Sequence, residues 1–225
     1  MIIVTGASKG LGRAICERLS SAGIEIFGLA RNITNLPFAS MNCDVSSHDE
    51  VKRVVQVLKR DGKKISGLIN AAGIASMNLA VMTPPQTAEK IIKTNLLGTI
   101  YCCQLFSPLI FRHKSGSIIN FSTIAVALGL KGESIYVASK AGVEGFTRAF
   151  AREMADFNVS VNCIAPGPID TGLLLGVTPE QISKIVSQQI LQRQFSPDAV
   201  CDLVEMLLDP RSLALSGQVF HVGGV

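Results

Sequence analysis

Short apolar runs alternate with longer segments of helical periodicity along almost the whole chain. Runs rich in Ile and Val are each followed by a segment whose apolar residues recur every three or four positions. This alternation is typical of βα units built around a buried parallel sheet. It predicts strands near 1–5, 25–30, 39–42, 66–70, 116–121, 159–165 and 218–222. It predicts helices near 11–22, 47–60, 86–111, 135–156, 179–191 and 197–208.

Nothing along the chain interrupts this alternation. The sequence has no repeat, charge block or low-complexity linker, and its 225 residues suit one domain better than two. The predicted fold is therefore α/β: a single doubly wound, Rossmann-type domain over 1–225, with a seven-stranded parallel sheet flanked by helices. In such a sheet the ligand crevice lies beyond the carboxyl ends of the strands. Residues that directly follow a strand are the first candidates for function.

Composition and charge narrow the range of partners. Hydrophobic residues make up 48% of the chain and charged residues 17%, which excludes a disordered chain. The net charge is +4, but Lys and Arg are scattered, Trp is absent and aromatic residues make up 5%, so no nucleic-acid partner is expected. No apolar run approaches the ~20 residues that cross a bilayer, so no membrane segment is expected either.

The cysteines and histidines do not suggest a metal site. The six cysteines lack CxxC spacing and the three histidines are scattered, so we expect no bound metal. Reduced thiols are the simplest account of such cysteines, and they indicate a cytoplasmic protein.

A glycine-rich turn follows the first strand. The segment Gly6-Ala7-Ser8-Lys9-Gly10-Leu11-Gly12 leads directly into a predicted helix. Its glycines allow a tight turn, in which phosphate oxygens can approach backbone N–H groups at the positive end of the helix. We assign the phosphate contacts to Gly6, Ser8, Lys9, Gly10, Leu11 and Gly12. A turn that only joins strand to helix is the alternative.

The residue after the second strand indicates which dinucleotide such a fold binds. NAD-selective folds usually have an acid there, which binds the ribose 2′-hydroxyl, whereas this chain has Arg31. A guanidinium can bind a 2′-phosphate through charge-assisted hydrogen bonds, and Lys9 can add a second cation. The sequence therefore favours NADP(H) over NAD(H). In the alternative interpretation, Arg31 and Lys9 are ordinary solvated charges.

A tyrosine and a lysine are the main candidates for catalysis. Tyr136 and Lys140 lie four residues apart at the start of a predicted helix, so their side chains share one face. The ammonium group and the helix N-terminus are both expected to lower the pKa of the phenol, which would make it an effective acid and base near neutral pH. The alternative is a surface pair without chemistry.

Further motifs occur in order along the chain. The full set is Thr5-Gly6-Ala7-Ser8-Lys9-Gly10-Leu11-Gly12, Cys43-Asp44-Val45, Asn70-Ala71-Ala72-Gly73, Asn95, Ser122-Thr123, Tyr136 with Lys140, and Pro166-Gly167-Pro168-Ile169-Asp170-Thr171. With these motifs the sequence resembles the short-chain dehydrogenase/reductase family over nearly its full length. The resemblance implies a nicotinamide dinucleotide and the transfer of a hydride to a carbonyl group.

The resemblance also implies catalytic roles. Tyr136 would protonate the carbonyl oxygen, while Lys140 would bind ribose hydroxyls and stabilise the phenolate. Asn95 would hold a water that links Lys140 to solvent, unless its amide only makes a local bond. The family's carbonyl-orienting serine lies thirteen residues before the tyrosine, which corresponds to Thr123 here. We assign this role to Thr123, with Ser122 as the alternative, unless both hydroxyls only complete the strand end.

Other cofactor contacts follow from the same resemblance. They are the adenine contacts of Asp44 and Val45, the crevice lining of Asn70, Ala71 and Gly73, and the nicotinamide contacts of Pro166, Gly167, Ile169 and Thr171. Structural roles are the alternative: Asn70 could tie two strands together, Asp44 could cap a turn, and Pro166-Gly167 could only end a strand. After Thr123, which replaces the family's serine, a second position departs from the family, because Gly223 stands where an acid is common.

The expected substrate is a small carbonyl compound. Within the family, the sequence most resembles the 3-oxoacyl-acyl-carrier-protein reductases. This resemblance implies NADPH as cofactor, a thioester of acyl carrier protein or CoA as substrate, and a role in fatty acid biosynthesis. It also implies a homodimer or homotetramer. Residues 172–196 would form a small substrate lid or, alternatively, an amphipathic helix at the sheet edge. Two other functions stay open: a ketone or alcohol oxidoreductase of specialised metabolism, and a non-catalytic NADP-binding regulator.

Overall fold

A parallel β-sheet forms the centre of the molecule. The computed structural model describes residues 1–169 and 178–225. Its strands are β1 (Ile2–Thr5), β2 (Ile26–Ala30), β3 (Ser40–Asn42), β4 (Gly67–Asn70), β5 (Gly116–Phe121), β6 (Val159–Pro166) and β7 (Val219–Val222). They lie in the order β3-β2-β1-β4-β5-β6-β7, and every neighbouring pair is parallel.

Helices cover both faces of this sheet. They are α1 (Gly10–Ser21), α2 (His48–Arg60), α3 (Pro85–Ile92), α4 (Gly98–Ile110), α5 (Ala125–Leu128), α6 (Ser134–Ala155), α7 (Pro179–Val186) and α8 (Pro197–Leu208). Short 3-10 turns lie at Ala80–Met82, Phe111–His113 and Pro210–Ser212. The predicted α/β fold with seven parallel strands is confirmed.

The apolar strands explain why helices are needed on both faces. Successive residues of a strand point to opposite faces of the sheet. Ile3 and Leu68 are buried in one core together with Phe106 of α4. Val4 and Ile69 are buried in a second core, which α1 and α8 cover. Because both faces are dry, the central strands lack the apolar–polar alternation of a half-exposed sheet.

The strand order creates the crevice in which the candidate site lies. It reverses at β1 and β4, which are neighbours at the centre of the sheet. The chain leaves these two strands in opposite directions, which opens a crevice at their carboxyl ends. The N–H of Ala72 donates to Oγ1 of Thr5 at 3.0 Å, so the segments after the two strands are held together.

The predicted helix over 86–111 contains an irregularity. A π-helical turn, Lys93–Leu97, joins α3 to α4. Turns of this kind widen a helix by one residue and are frequent at functional sites. Asn95 lies in the turn and is buried.

The same helical stretch is the one helix within residues 1–169 and 178–225 that is long and apolar enough to cross a membrane. Pro85–His113 has the length and composition of a membrane-spanning helix, but half of its most apolar window is buried in the fold. Cys103 and Phe106 lie in the core beside the sheet. Packing against the sheet therefore accounts for the apolar character of this stretch.

The predicted helix over 179–191 ends early. It ends at Val186, and beyond it the N–H of Leu191 donates to the carbonyl of Gly223 at 2.9 Å instead of continuing the helix. Thr171 and the first part of the predicted lid lie outside the described residues. Helix α5 was not predicted, because four residues are too few for a helical period to be visible.

Candidate active site

The predicted pair of tyrosine and lysine lies at the buried start of α6. Tyr136 is 8% exposed and Lys140 is 5% exposed. The Nζ atom of Lys140 donates to the carbonyl oxygen of Phe121, the last residue of β5, at 2.7 Å. Helix α6 therefore brings both side chains to the carboxyl end of the sheet, as the strand topology requires of a site in the crevice.

Burial sets the protonation of this pair. Desolvation raises the pKa of Tyr136 well above its usual value, and the negative charge of Glu133 adds to this effect. Desolvation also lowers the pKa of Lys140 to about 8. The sequence pattern predicts a lowered pKa for the phenol, and this prediction is wrong for the structure described here. The reason is that the loss of hydration outweighs the favourable neighbours.

Two adjacent hydroxyl groups at the end of β5 have different surroundings. The hydroxyl of Thr123 lies near the phenol of Tyr136 and acts to lower its pKa, and it accepts a hydrogen bond from the N–H of Ala125 at 3.2 Å. Ser122 is buried, and its Oγ donates to Oε1 of Glu144 at 2.7 Å. Thr123 therefore shares the space around the phenol, whereas Ser122 is bonded inside the protein.

Asn95 is fully bonded to the surrounding chain. Its Oδ1 accepts from the N–H of Ile74 at 2.8 Å, and its Nδ2 donates to the carbonyl of Ile74 at 2.9 Å and to Oγ of Ser139 at 3.0 Å. Its side chain thus joins the loop after β4 to the helix that carries Tyr136 and Lys140. The role of holding a water stays a prediction.

Gly73 lies where this loop approaches the lysine. A Cβ atom at this position would stand 3.4 Å from Oδ1 of Asn95 and 3.5 Å from Nζ of Lys140. A side chain here would therefore narrow the space beside the ammonium group. This agrees with the prediction that Gly73 lines the crevice, without testing a cofactor contact.

The glycine turn after β1 forms a cradle of backbone. Gly6 and Gly10 have positive φ angles of 73° and 58°. A Cβ atom at Gly12 would collide with the carbonyl oxygen of Gly6, and one at Gly6 would lie 2.9 Å from Cα of Ala72. The first turn of α1 contains no acid. Free backbone donors, a positive helix end and the absence of side chains together fit a phosphate group.

Two cations flank this cradle. The N–H of Ala7 donates to the carbonyl of Leu29 at 3.1 Å, which brings the turn containing Lys9 beside the end of β2. Arg31 directly follows that strand. Both cations are exposed, and neither forms an ion pair with any residue in the described part of the chain. This end of the crevice therefore fits a dinucleotide with an additional phosphate.

The residues after β3 take part in local packing. Oδ1 of Asp44 accepts from the N–H of Ser46 at 2.9 Å and from its hydroxyl at 2.7 Å, so Asp44 caps the following turn. Val45 is buried against α4, where a Cβ atom at Gly98 would lie 2.8 Å from Cγ2 of Val45. Their adenine contacts stay predictions.

Asn70 joins two strands at the centre of the sheet. Its buried side chain donates from Nδ2 to Oδ1 of Asn120 in β5 at 2.8 Å. Asn120 in turn donates to Thr147 of α6 at 2.9 Å. This places the side chain of Asn70 within the sheet and leaves the backbone of Asn70 and Ala71 as the part that can line the crevice.

The segment after β6 adjoins the same site. The carbonyl of Pro166 accepts from the N–H of Ile124 at 3.1 Å, and the N–H of Gly167 donates to the carbonyl of Val222 at 3.1 Å. Ile169 is buried and pairs with Phe195 through a β-bridge. Their contacts with a nicotinamide ring stay predictions.

Sequence reasoning missed two side chains near the site. Glu133, three residues before Tyr136, is half-buried, and burial raises its pKa. An acid directly before the catalytic helix was a signal that could have identified it. Gln189 is buried beside Gly167, and nothing in its sequence surroundings distinguishes it from its exposed neighbours. Within the described residues, no cluster of three His, Cys, Asp or Glu side chains could hold a metal.

Comparison with known proteins gives a consistent result. Residues 1–181 match the family described as short chain dehydrogenase. The chain is 31% identical to 3-oxoacyl-[acyl-carrier-protein] reductase of Staphylococcus epidermidis, with 99% of this chain and 96% of that protein covered. It is 32% identical to carbonyl reductase family member 4 of Danio rerio, with 100% and 96% covered. The solved structure of Thermoplasma acidophilum aldohexose dehydrogenase has a TM-score of 0.90 and 31% identity, with 99% and 92% covered.

Proposed function

Since this chain belongs to the short chain dehydrogenase family of oxidoreductases, which bind a nicotinamide cofactor, we propose that it uses NADPH to reduce a ketone to a secondary alcohol. One observation carries the proposal. The phenol of Tyr136 lies in a buried site near the hydroxyl of Thr123, with Lys140 one helical turn away. This arrangement has a proton donor, a second hydroxyl and a cation at the carboxyl end of the sheet.

Each of these groups has a distinct task in the reduction. The reduced nicotinamide supplies the hydride when bound. The hydroxyl of Tyr136 transfers its proton to the carbonyl oxygen as negative charge develops there. Thr123 donates a hydrogen bond to the same oxygen and orients it. Lys140 holds ribose hydroxyls and stabilises the phenolate that remains after proton transfer.

The phenol is protonated at neutral pH, as the proton donor of a reduction must be, although its raised pKa makes it a weaker acid than an exposed phenol. A phenol that keeps its proton at neutral pH is ready to act as an acid toward a carbonyl oxygen. The positive charge of Lys140 then limits the energy of the phenolate, because opposite charges attract strongly in a buried site. The pair therefore favours proton donation during reduction.

Selection of NADPH rests on two cations that form no ion pair within residues 1–169 and 178–225. Arg31 and Lys9 flank the glycine cradle and are exposed. The guanidinium is suited to a 2′-phosphate because its planar N–H groups can donate two parallel hydrogen bonds. No acid directly follows β2, where a carboxylate would bind a free 2′-hydroxyl.

We propose a 3-oxoacyl thioester, carried on acyl carrier protein or CoA, as the substrate. The relative from Staphylococcus epidermidis is named for such a reaction. The loop between β4 and α3 exposes the apolar side chains of Leu79, Val81 and Met82, which can contact an acyl chain. With that reaction we expect a homodimer or homotetramer in the cytoplasm, where the free, buried cysteines would stay reduced.

This proposal is tested by following the loss of NADPH absorbance. The rate with an acetoacetyl thioester is compared with the rates for a panel of simple ketones and diketones. We expect the thioester to give the highest kcat/KM and Tyr136→Phe to lower kcat by about 10²- to 10⁴-fold. Activity confined to the simple ketones would reject the thioester. Tight cofactor binding without turnover of any carbonyl compound would favour a regulator.

A second candidate substrate is a polyhydroxylated one. The structural relative from Thermoplasma acidophilum is named for an aldohexose. The half-buried carboxylate of Glu133 near Tyr136 can accept hydrogen bonds from hydroxyl groups of a sugar. Oxidation of an aldohexose with NADP⁺, measured beside the thioester assay, distinguishes the two.

A further inference from the structure

A segment of chain crosses the ends of the last two strands beside the site. We call residues 187–195 the strap. The N–H of Leu191 donates to the carbonyl of Gly223 at 2.9 Å, and Phe195 forms a β-bridge with Ile169. The strap therefore contacts the residues that follow the carboxyl ends of β6 and β7, near the candidate site.

One strap residue is buried, although its neighbours are exposed. Gln189 is 2% exposed, whereas Ile190 beside it is 71% exposed. Its Nε2 donates to the carbonyl of Arg193 at 3.0 Å. Its Oε1 is buried and has no hydrogen-bond partner within residues 1–169 and 178–225. Burying an amide oxygen without a hydrogen bond costs free energy. We therefore ask which residues surround this oxygen.

Those contacts are with two glycines. Oε1 of Gln189 occupies the space in which a side chain at Gly167 or at Gly223 would begin. Gly223 also has a φ of +100°, which side chains rarely adopt, whereas the φ of Gly167 is ordinary. At position 167, space for Gln189 therefore favours a residue without a side chain. The amide packs against the glycines that follow β6 and β7.

Contacts continue from Gly167 to the candidate catalytic group. A Cβ atom at Gly167 would lie 3.3 Å from Cδ1 of Ile124. The N–H of Ile124 donates to the carbonyl of Pro166 at 3.1 Å. Ile124 directly follows Thr123, whose hydroxyl lies near the phenol of Tyr136 and acts to lower its pKa. Gln189 and Ile124 therefore both border the space in which a side chain at Gly167 would begin, and the backbone connects Ile124 directly to Thr123.

We propose that Gln189 is a positioning residue for the reaction. By filling the space behind Gly167, it holds Ile124 in place and so fixes the hydroxyl of Thr123 relative to Tyr136. This inference rests on the proposed function, because the distance between these two hydroxyls matters only if they act on one carbonyl oxygen. Gln189 itself touches neither substrate nor reacting atoms.

The contact is tested by combining two substitutions in urea unfolding. Gly167→Ala should lower the unfolding midpoint, because its methyl group collides with Oε1 of Gln189. Gln189→Ala should lower the midpoint of the wild type but raise that of Gly167→Ala, because it removes the obstacle. If Gly167→Ala does not fold, recovery of folded protein in the double variant supports the contact. The contact is overturned if Gln189→Ala lowers the unfolding midpoint of Gly167→Ala as well as that of the wild type. It is also overturned if Gly167→Ala does not fold and the double variant does not fold either.

The positioning role is tested by kinetics with a matched control. Gln189→Ala should lower kcat about tenfold, because displacement of a catalytic group slows the chemical step, while the KM for NADPH changes less than about twofold. The neighbouring Gln188 is exposed, so Gln188→Ala should leave kcat unchanged. If Gln189→Ala does not fold, Gln189→Leu, which keeps much of the side-chain volume, is measured instead. A full kcat in the folded variant overturns the role.

The two measurements separate this inference from the proposed function. A wild-type protein that turns over none of the carbonyl compounds would overturn the proposed function and the positioning role together. The unfolding measurements would still decide whether Gln189 and Gly167 are in contact. A wild-type enzyme with normal turnover and an unchanged kcat in Gln189→Ala would overturn the positioning role alone.

Discussion

The two ends of the crevice are built in opposite ways. At the reacting end, Tyr136, Lys140 and Asn95 are buried, and the side chains of Lys140 and Asn95 are hydrogen-bonded to the surrounding protein. At the phosphate end, the contacts come from the glycine backbone, and the cations Lys9 and Arg31 are exposed. At the reacting end, burial determines the pKa values of the side chains. At the phosphate end, the charged side chains are exposed to water.

This difference determines what a substitution can change. Removing a buried, bonded group alters the pKa and the position of its partners, so chemistry and stability change together. Removing an exposed cation leaves packing intact and alters only the attraction for an anionic ligand. Substitutions at the reacting end should therefore change kcat, and those at the phosphate end should change cofactor affinity.

The largest effect is expected from Tyr136→Phe. The substitution removes the proton donor but keeps the ring, so kcat should fall by about 10²- to 10⁴-fold, the range of general acid catalysis. Binding of NADPH, followed by fluorescence titration, should stay within about twofold of the wild type. A variant that keeps a tenth or more of the activity would show that another group supplies the proton.

Thr123→Val should have the next largest effect. It keeps the shape of the side chain but loses the hydroxyl near Tyr136, so kcat should fall by about 10²-fold, as for the loss of one donor to a developing oxyanion. The measurement is the kcat of purified enzyme with saturating NADPH.

Ser122→Ala is the matched control for Thr123→Val. It removes the bond to the buried carboxylate of Glu144, so it should lower the free energy of unfolding by about 1–3 kcal/mol. Its kcat should stay near that of the wild type. The reverse outcome, with full activity in Thr123→Val and a large loss of kcat in Ser122→Ala, would transfer the orienting role to Ser122.

At the phosphate end, Arg31→Asp should change cofactor choice. Loss of a charge-assisted bond to the 2′-phosphate, and repulsion from the new carboxylate, should weaken NADPH binding by about 10- to 100-fold. The affinity for NADH should not fall. Competition titrations of both cofactors measure this, and Arg60→Asp, an equal charge change at an exposed position on α2, is the control. Unchanged NADPH preference in Arg31→Asp would remove the assignment.

The two ends also differ in how much of them the sequence predicted. The glycine turn, Arg31 and the pair of Tyr136 and Lys140 lie next to one strand or on one helix, so their arrangement follows from local periodicity. The role of Asn70 depends on a distant partner instead. Asn70 bonds to β5 at a residue fifty positions along the chain, and no local pattern indicates that contact.

The pKa of Tyr136 also could not be predicted from its distance to Lys140 along the sequence. A lysine four residues after a tyrosine suggests a lowered phenol pKa, but the depth of burial decides the sign. That depth arises when α6 packs against β5 and β6, which is a property of the complete fold. The interlock of Gln189 with Gly167 and Gly223 has the same origin, since it joins three distant parts of the chain.

The smallest effect is expected from Glu133→Gln. This variant separates the effect of a neighbouring charge on the pKa of Tyr136 from the effect of burial. The negative charge of Glu133 contributes to the raised pKa of Tyr136, so removing it should lower that pKa. Oxidation of an alcohol with NADP⁺ requires the phenolate and becomes faster as the phenol ionises. The rising limb of its pH profile should therefore move to lower pH, with an increase of about two- to threefold in rate on that limb.

The control for this change is Glu153→Gln, the same acid-to-amide substitution at an exposed position near the other end of α6. It should leave the pH profile where it is, because solvent screens a distant, exposed charge. The falling limb for ketone reduction, which requires the protonated phenol, should move to lower pH in Glu133→Gln by the same amount. If the two limbs move in opposite directions, a group other than Tyr136 controls them, and desolvation alone sets the charge of the phenol.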